Sequence, residues 1–180
     1  MNESAFVSEY PGLSNRLGSP ATLKYDGNET QVNALWDTGA TGTCISKDVV
    51  IALTLIPLGK QQIHTPSGLS TVNTYQIDIV LPNKLTVSNV VVRDSEIGDQ
   101  GIGVLIGMDI INLCDFAVSN YNDKTVFTFR TPSKRKTDYV KELRIQKTLG
   151  PKHGKATRRV NDYTELTAAS NTGAVFYNEQ

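Results

Sequence analysis

An apolar segment that ends at an acidic tight turn constrains this chain more than any other feature. Residues 34–36 are Ala-Leu-Trp, Asp37 follows them, and Thr-Gly-Ala occupies 38–40. This order predicts a carboxylate held in a turn at the end of a buried strand, because glycine permits the sharp backbone path that such a turn needs. A solvent-exposed turn is the alternative, since Asp and Gly are common turn residues. The adjacent Trp36 argues against full exposure.

A second apolar segment lies well downstream, where Val-Leu-Ile at 104–106 precedes Gly107. The residues after it, 108–113, predict a short helix. Together the two segments resemble the active-site loop and the supporting strand of the retropepsin-like aspartic proteases, a single-domain family that includes retroviral proteases and their cellular and bacterial relatives. The resemblance covers about residues 20–130.

The resemblance implies a role for each residue of the two motifs. The catalytic residue is expected at Asp37. The residues expected to support its loop are Thr38, Gly39 and Ala40. Those expected to pack beneath the loop are Leu105, Ile106 and Gly107.

Aspartic protease chemistry needs two carboxylates that share one proton. One of them activates a water, and the other polarises the carbonyl of the bond to be cleaved. The chain has a single Asp-Thr-Gly, at Asp37, and no Asp-Ser-Gly. The second carboxylate must therefore come from a second copy of the chain, which implies a homodimeric active site. The same chemistry requires no metal and no cofactor.

Many short strand-like segments with turn signals, and almost no helical period, predict an all-β fold. The resemblance implies that this fold is a closed β-barrel with one short helix. Asp26-Gly27-Asn28 predicts the turn of a hairpin, and Asn120–Asp123 predicts another. The segment from Ser46 to Leu53 is compatible with a capped short helix or with a strand, because its β-branched residues leave both open.

Residues 60–81 predict a long hairpin with a glycine near its tip. In the resembled family a hairpin at this place is the flap that covers the substrate, and an ordinary surface hairpin is the alternative. The residues expected to contact substrate from this hairpin are Ile63, His64, Pro66, Ser67, Gly68 and Leu69. Leu35 is a further candidate for the groove, although core packing suits it better.

The charge distribution divides the chain. Residues 1–130 carry 8 basic and 13 acidic side chains, whereas residues 131–160 carry 10 basic and 2 acidic ones. We therefore expect an irregular arm at 1–20, the protease-like domain at 21–130, and a basic, partly helical or disordered tail at 131–180. The basic residues of 134–159 suit nucleic acid or an acidic surface, and a solvated tail is the alternative.

Two positions depart from the retroviral pattern. Thr41 and Met108 stand where the retroviral branch has an acidic residue and an arginine. Both partners of that ion pair are missing together, which suits a cellular or bacterial branch. Asp109 is expected to cap or support the local helix rather than to act in catalysis.

The remaining composition excludes several classes. No apolar run approaches the length of a membrane span, and the N-terminal residues lack the pattern of a secretory signal. Cys44 and Cys114 are too few for a disulfide framework and are expected to be buried free thiols in a cytoplasmic protein. His64 and His153 are isolated, so no zinc site is expected.

These observations predict a homodimeric aspartic endopeptidase that acts on peptides or proteins. One alternative is a binding or assembly module that keeps the fold but has little protease activity. The other is a scaffold whose basic tail binds nucleic acid, which would show as steep salt dependence.

Overall fold

The structure, a computed structural model, describes residues 3–65 and 68–149. The chain divides into two units, Met1–Lys136 and Thr137–Gln180. The strands of the first unit are β1 (Ser4–Glu9), β2 (Gly18–Tyr25), β3 (Asn28–Trp36), β4 (Cys44–Ser46), β5 (Gly59–Thr65), β6 (Gly68–Val80), β7 (Thr86–Ser95), β8 (Val104–Ile106), β9 (Asp115–Ser119) and β10 (Val126–Thr131). Its helices are α1 (Lys47–Ala52) and α2 (Met108–Ile111), and α3 (Tyr139–Leu149) belongs to the second unit.

The first hairpin consists of β2 and β3, and Asp37 follows directly after β3. Tyr25 of β2 pairs with Asn28 of β3, which leaves Asp26 and Gly27 as a two-residue loop. Both loop residues have positive φ, 45° and 80°, as a type I′ turn requires. The hairpin predicted from these residues is confirmed, as is the one between β9 and β10.

Six strands form a closed barrel. They follow the order β2-β3-β8-β4-β7-β6, and a pairing between β6 and β2 completes the ring. Strand β5 extends the sheet beyond β6. Two of the pairings, β3 with β8 and β4 with β7, are parallel. The predicted all-β closed barrel is confirmed.

Alternating side chains fill the barrel. Leu23, Ile45, Ile79, Val92 and Val104 come from five different strands, and each is 0% exposed. Full burial of an aliphatic side chain of this size stabilises the fold by about 1.5–3 kcal/mol. The period-2 burial along β2 and β6 is what orients these residues inward.

A second sheet, in the order β1-β10-β9, packs an aromatic cluster against the end of β3. Phe6 of β1 contacts the rings of Trp36, Phe127 and Phe129 at centroid distances of 5.8, 5.4 and 5.4 Å. Trp36 also donates its indole N–H to Ser19 Oγ at 3.0 Å. The residue that precedes Asp37 is therefore anchored in a core that the terminal strands supply.

The expectation of an irregular arm at 1–20 is wrong for Ser4–Glu9. These residues alternate between half-buried and exposed positions and pair with β10 along their whole length. The strand β2 also begins inside the arm, at Gly18. Pro11 and Gly12 lie in the connection between the two strands, whereas Gly18 and Pro20 lie in β2.

The helices of the first unit are more numerous than the single one expected. The segment left open between helix and strand is α1, which Ser46 caps by accepting a hydrogen bond from the Val49 N–H at 3.4 Å. The helix predicted at 108–113 is α2, and it ends at Ile111. In the second unit, α3 lies within the stretch that the sequence marked as helical. Within the described residues, no helix has the length and apolar character that a membrane span requires.

Candidate active site

The loop that carries Asp37 is fixed by its own hydrogen bonds. Asp37 lies directly after β3, and its N–H donates to Ile106 O at 3.0 Å. Its carboxylate atom Oδ1 accepts from the Gly39 N–H at 2.8 Å, and its carbonyl accepts from the Ala40 N–H at 3.2 Å. The side chain is half-buried. The turn predicted from the sequence is thus present, and one carboxylate oxygen carries a backbone donor.

The second motif lies beside and beneath this loop. Strand β8 runs parallel to β3, with Leu35 opposite Leu105 and Trp36 opposite Ile106. A Cβ atom at Gly107 would lie 2.7 Å from the carbonyl carbon of Gly42. Only glycine fits such a close approach of two backbones. The two segments that resembled a family are therefore in direct contact.

Further hydrogen bonds join the second motif to the loop. The N–H of Met108 donates to Ala40 O at 2.8 Å. The N–H of Gly107 donates to Thr43 Oγ1 at 3.2 Å. Both bonds link the start of α2 to residues that follow Asp37, so the loop cannot shift without α2.

Asp109 takes part in this linkage. Its Oδ2 accepts from the Thr43 N–H at 2.9 Å, and its Oδ1 accepts from the Thr43 hydroxyl at 2.7 Å. Oδ1 also accepts from the Ile110 N–H at 3.0 Å. Asp109 was expected to support its own helix, and it does contact it. Its bonds to Thr43 were not predicted, because no local pattern relates residues 66 positions apart.

The front of the loop is open. Thr38 and Gly39 are exposed, and among the described residues Thr38 makes no side-chain hydrogen bond. No second carboxylate from the described part of the chain contacts Asp37. The geometry therefore offers one carboxylate and one unbonded hydroxyl at the surface, beside each other.

A cleft of about 540 Å³ lies beside the Asp37 loop, and the first residue of its lining is Gly39. Four segments form its walls, the loop at 39–42, the start of β4, strand β5 and the end of β7; the lining residues are Gly39, Ala40, Thr41, Gly42, Cys44, Gln61, Gln62, Ile63, Arg93, Asp94 and Ser95. Another cleft, of about 310 Å³, lies around α1 and includes no residue of either motif. The first cleft is thus the one that adjoins the Asp37 loop.

The cysteine in this cleft is a free thiol. Burial raises the pKa of the Cys44 thiol, and a hydrogen bond with Ser95 and the positive charge of Arg93 oppose that rise. A thiol whose pKa is raised is mostly protonated at neutral pH and is a poor nucleophile. Cys114 is also free, and burial raises its pKa to about 12.

The hairpin expected to act as a flap consists of β5 and β6, paired from Gly59 with Thr74 to Thr65 with Gly68. Ile63 lines the cleft, whereas Leu69 is 60% exposed. Gly68 has a φ of +116°, which suits glycine at the tip. His64 lies in β5 opposite Leu69. Two further flap candidates, Pro66 and Ser67, lie outside the described residues.

The described residues contain no group of three or more metal-ligating side chains.

A sequence model of the family described as "gag-polyprotein putative aspartyl protease" matches residues 23–112, which is half of the chain. No curated protein sequence matches.

Three solved structures are similar. A retropepsin-like aspartic protease from Rickettsia conorii is 18% identical, with a TM-score of 0.46, over 71% of this chain and 95% of its own. The Simian Foamy Virus (mac) protease is 21% identical, with a TM-score of 0.39, over 52% and 92%. The EIAV protease in complex with the inhibitor HBY-793 is 20% identical, with a TM-score of 0.42, over 57% and 90%.

The matched region runs from β2 to just beyond α2, so it contains both the Asp37 loop and the segment packed beneath it. On the family match, this chain belongs to the family of gag-polyprotein putative aspartyl proteases.

Proposed function

We propose that this chain is an aspartic endopeptidase whose active site is completed by a second copy of itself. Asp37 of each copy supplies one carboxylate. The observation that carries the proposal is the locked loop of Asp37, held against Gly107 in a chain that has only one Asp-Thr-Gly. The other candidate residues of the two motifs act as supports of this loop.

A two-fold axis beside the open front of the loop would bring the two carboxylates together. Thr38 supports this arrangement, because it is exposed and its hydroxyl has no hydrogen bond within the described residues. In the dimer that hydroxyl bonds to the loop of the other copy and holds both loops in register. Gly39 is exposed at the same surface, so the close approach meets no side chain there.

The reaction needs one proton shared by the two carboxylates. The ionised Asp37 takes a proton from a water held between them, and the protonated one donates to the carbonyl oxygen of the peptide bond. The water oxygen attacks the carbonyl carbon and gives a tetrahedral diol. The nitrogen is then protonated and leaves. The Gly39 N–H, which donates to Oδ1, orients that oxygen.

The peptide substrate lies extended along β5. This strand is at the end of the sheet order and pairs only with β6 within the described residues. Its other edge is free to bind the main chain of a peptide as an added strand. Gln61 and Ile63 line the cleft from this edge, which supports a binding role for the flap.

The decisive comparison is wild type against Asp37→Asn. The variant keeps an oxygen that accepts from Gly39 but removes the charge. Incubated with a denatured protein at mildly acidic and at neutral pH, the variant is expected to lose at least about a thousandfold in cleavage rate. An aspartic protease inhibitor should block the wild type, and thermal melts should show that the variant remains folded. Equal loss of substrate with both proteins, or none with either at high concentration, would favour the catalytically weak binding module instead.

A further inference from the structure

The cleft beside Asp37 contains one cation, Arg93, that neither motif accounts for. Arg93 lies on β7, opposite Cys44 of β4 and Thr74 of β6. Its backbone N–H donates to Thr43 O at 3.3 Å. The residue is therefore fixed at its backbone to the strand that follows the Asp37 loop, and its side chain lines the cleft.

One edge of the Arg93 guanidinium is occupied. Its Nε donates to Gln61 Oε1 at 2.7 Å. The rest of the group lies beside Gly42, so near that a Cβ atom there would be 2.3 Å from Nη1. A guanidinium has five N–H donors. Within the described residues, Nη1 and Nη2 make no hydrogen bond, and no carboxylate forms an ion pair with them.

The acidic neighbour in the sequence does not neutralise this cation. Asp94 accepts from the Asn73 N–H at 2.8 Å and from Asn73 Nδ2 at 3.1 Å. Its carboxylate is therefore hydrogen-bonded to Asn73 of β6. The positive charge of Arg93 does extend into the cleft, because it lowers the pKa of the Cys44 thiol there against the effect of burial.

We propose that Arg93 is a specificity-determining residue that binds an acidic side chain of the substrate in this cleft. Nη1 and Nη2 donate to the carboxylate, a geometry that a planar guanidinium matches with two parallel bonds. The inference rests on the proposed protease function and deepens it. Because the dimer has two clefts related by its two-fold axis, an acidic residue is preferred at one position on each side of the cleaved bond.

The simpler alternative is that Arg93 only ties β7 to the flap strand through Gln61. A tie of this kind uses Nε alone. It does not require a charge, and it leaves Nη1 and Nη2 accessible to solvent, with no hydrogen-bond partner in the described part of the chain. Binding a carboxylate satisfies them. The two roles differ in what they predict for substrate choice, and this difference is measurable.

The experiment begins with a mixture of random-sequence peptides, whose cleavage products are read by mass spectrometry. From a cleaved sequence, a matched pair is made with Glu or Gln at the position of strongest acidic preference. At about pH 6 the Glu side chain is ionised. The wild type is expected to cleave the Glu peptide about tenfold better in kcat/KM, as one charge-assisted pair would allow. Added salt should reduce this ratio.

Four variants separate the two roles. Arg93→Gln should bring the Glu-to-Gln ratio close to one, and Arg93→Lys should keep part of it. Gln61→Ala removes the tie but keeps the guanidinium, so the ratio should persist. The matched control is Arg16→Gln, since Arg16 is exposed and also bonds a glutamine, Gln100, at 3.3 Å. Its ratio should equal that of the wild type.

A readout that does not need turnover is the binding of both peptides to Asp37→Asn, followed by fluorescence anisotropy. The inference is overturned if the wild type cleaves in an Asp37-dependent way without preferring Glu, or if Gln61→Ala abolishes the preference as fully as Arg93→Gln. If the wild type cleaves no peptide of the mixture, the proposed function itself fails, and the role of Arg93 fails with it. Cleavage without acidic preference leaves the proposed function standing and removes only the role of Arg93.

Discussion

At the scale of single residues, Thr43 has a larger structural role than its place in the sequence indicates. It is 0% exposed. Its hydroxyl donates to Asp109 and accepts from the Gly107 N–H, so it joins both halves of the site. The loop of Asp37 is therefore held from behind by a partly buried polar network, in which Thr43 and Gly107 are buried and depend on each other for their hydrogen bonds.

Replacing Thr43 by Val tests this network. The shape is preserved, but the buried Gly107 N–H loses its acceptor, and Oδ1 of Asp109 keeps only the Ile110 N–H. An unsatisfied buried donor costs about 1–3 kcal/mol, so we expect the free energy of unfolding in urea to fall by about 1–3 kcal/mol, with a parallel loss of activity. Thr43→Ser keeps the hydroxyl and is the control. A Val variant as stable as the Ser variant would contradict the role assigned to the network.

Residue patterns in the sequence predicted only part of this site. The loop at 37–40 and the segment at 105–107 were predictable, because each is a continuous run in which the chemistry and the turn signal lie side by side. Thr43 and Arg93 were not. Their partners, Asp109 and Gln61, lie 66 and 32 positions away. Only the register of the strands brings such residues together, and register depends on pairing that single-sequence patterns leave open.

At the scale of elements, the same limit explains the terminal sheet. The barrel strands were predictable because they alternate and are separated by strong turn signals such as Asp26-Gly27. Strand β1 forms only by pairing with β10, and Thr128 of β10 hydrogen-bonds Phe6 O across 122 positions. The six residues of β1 lack a hairpin partner nearby. Their strand character therefore comes from tertiary packing of Phe6 rather than from local preference.

Strand β9 also hydrogen-bonds the segment that follows β10, at Ser133 and Lys134. Asp115 accepts from the Ser133 hydroxyl, from the Lys134 N–H and from the Arg130 guanidinium, the last through Nε at 3.0 Å. The Ser133 and Lys134 hydrogen bonds, and then Arg130, hold the pKa of Asp115 well below its ordinary value. A carboxylate with a lowered pKa stabilises the folded state above its ordinary pKa of 3.8. That contribution is lost as the pH falls through the pKa of the folded protein.

The pH dependence of stability should therefore reveal the contribution of the Asp115 carboxylate. Asp115→Asn is expected to lower the melting temperature at about pH 6, because the charge that these donors favour is absent. The difference from the wild type should shrink once the pH falls below 3.8 and the carboxylate starts to be protonated. Thermal melts followed by circular dichroism between about pH 2 and pH 7 measure it. Asp26→Asn, in a turn that accepts either residue, is the control. A difference that stays constant across this range would exclude the electrostatic origin.

At the scale of the whole molecule, the chain combines a barrel that carries the Asp37 loop with a basic segment at 134–159. The balanced totals of 18 basic and 18 acidic side chains conceal this division. The charge count indicates no partner for the basic segment, and its residues 150–159 lie outside the described part of the chain. For the barrel, the open face of the Asp37 loop makes association of two copies the step on which proposed activity depends.

Mixing wild type with the Asp37→Asn variant tests whether two chains share one site. If each site takes one Asp37 from each copy, mixed dimers are inactive. Adding an equal amount of variant to a fully dimeric wild type should then reduce activity to about half, because only one dimer in four keeps both carboxylates. Activity per chain should also rise with protein concentration, in step with dimer formation seen by sedimentation. Bovine serum albumin replaces the variant as the control protein. Activity that the variant leaves unchanged, at concentrations where the two proteins demonstrably exchange subunits, would mean that a single chain carries a complete site.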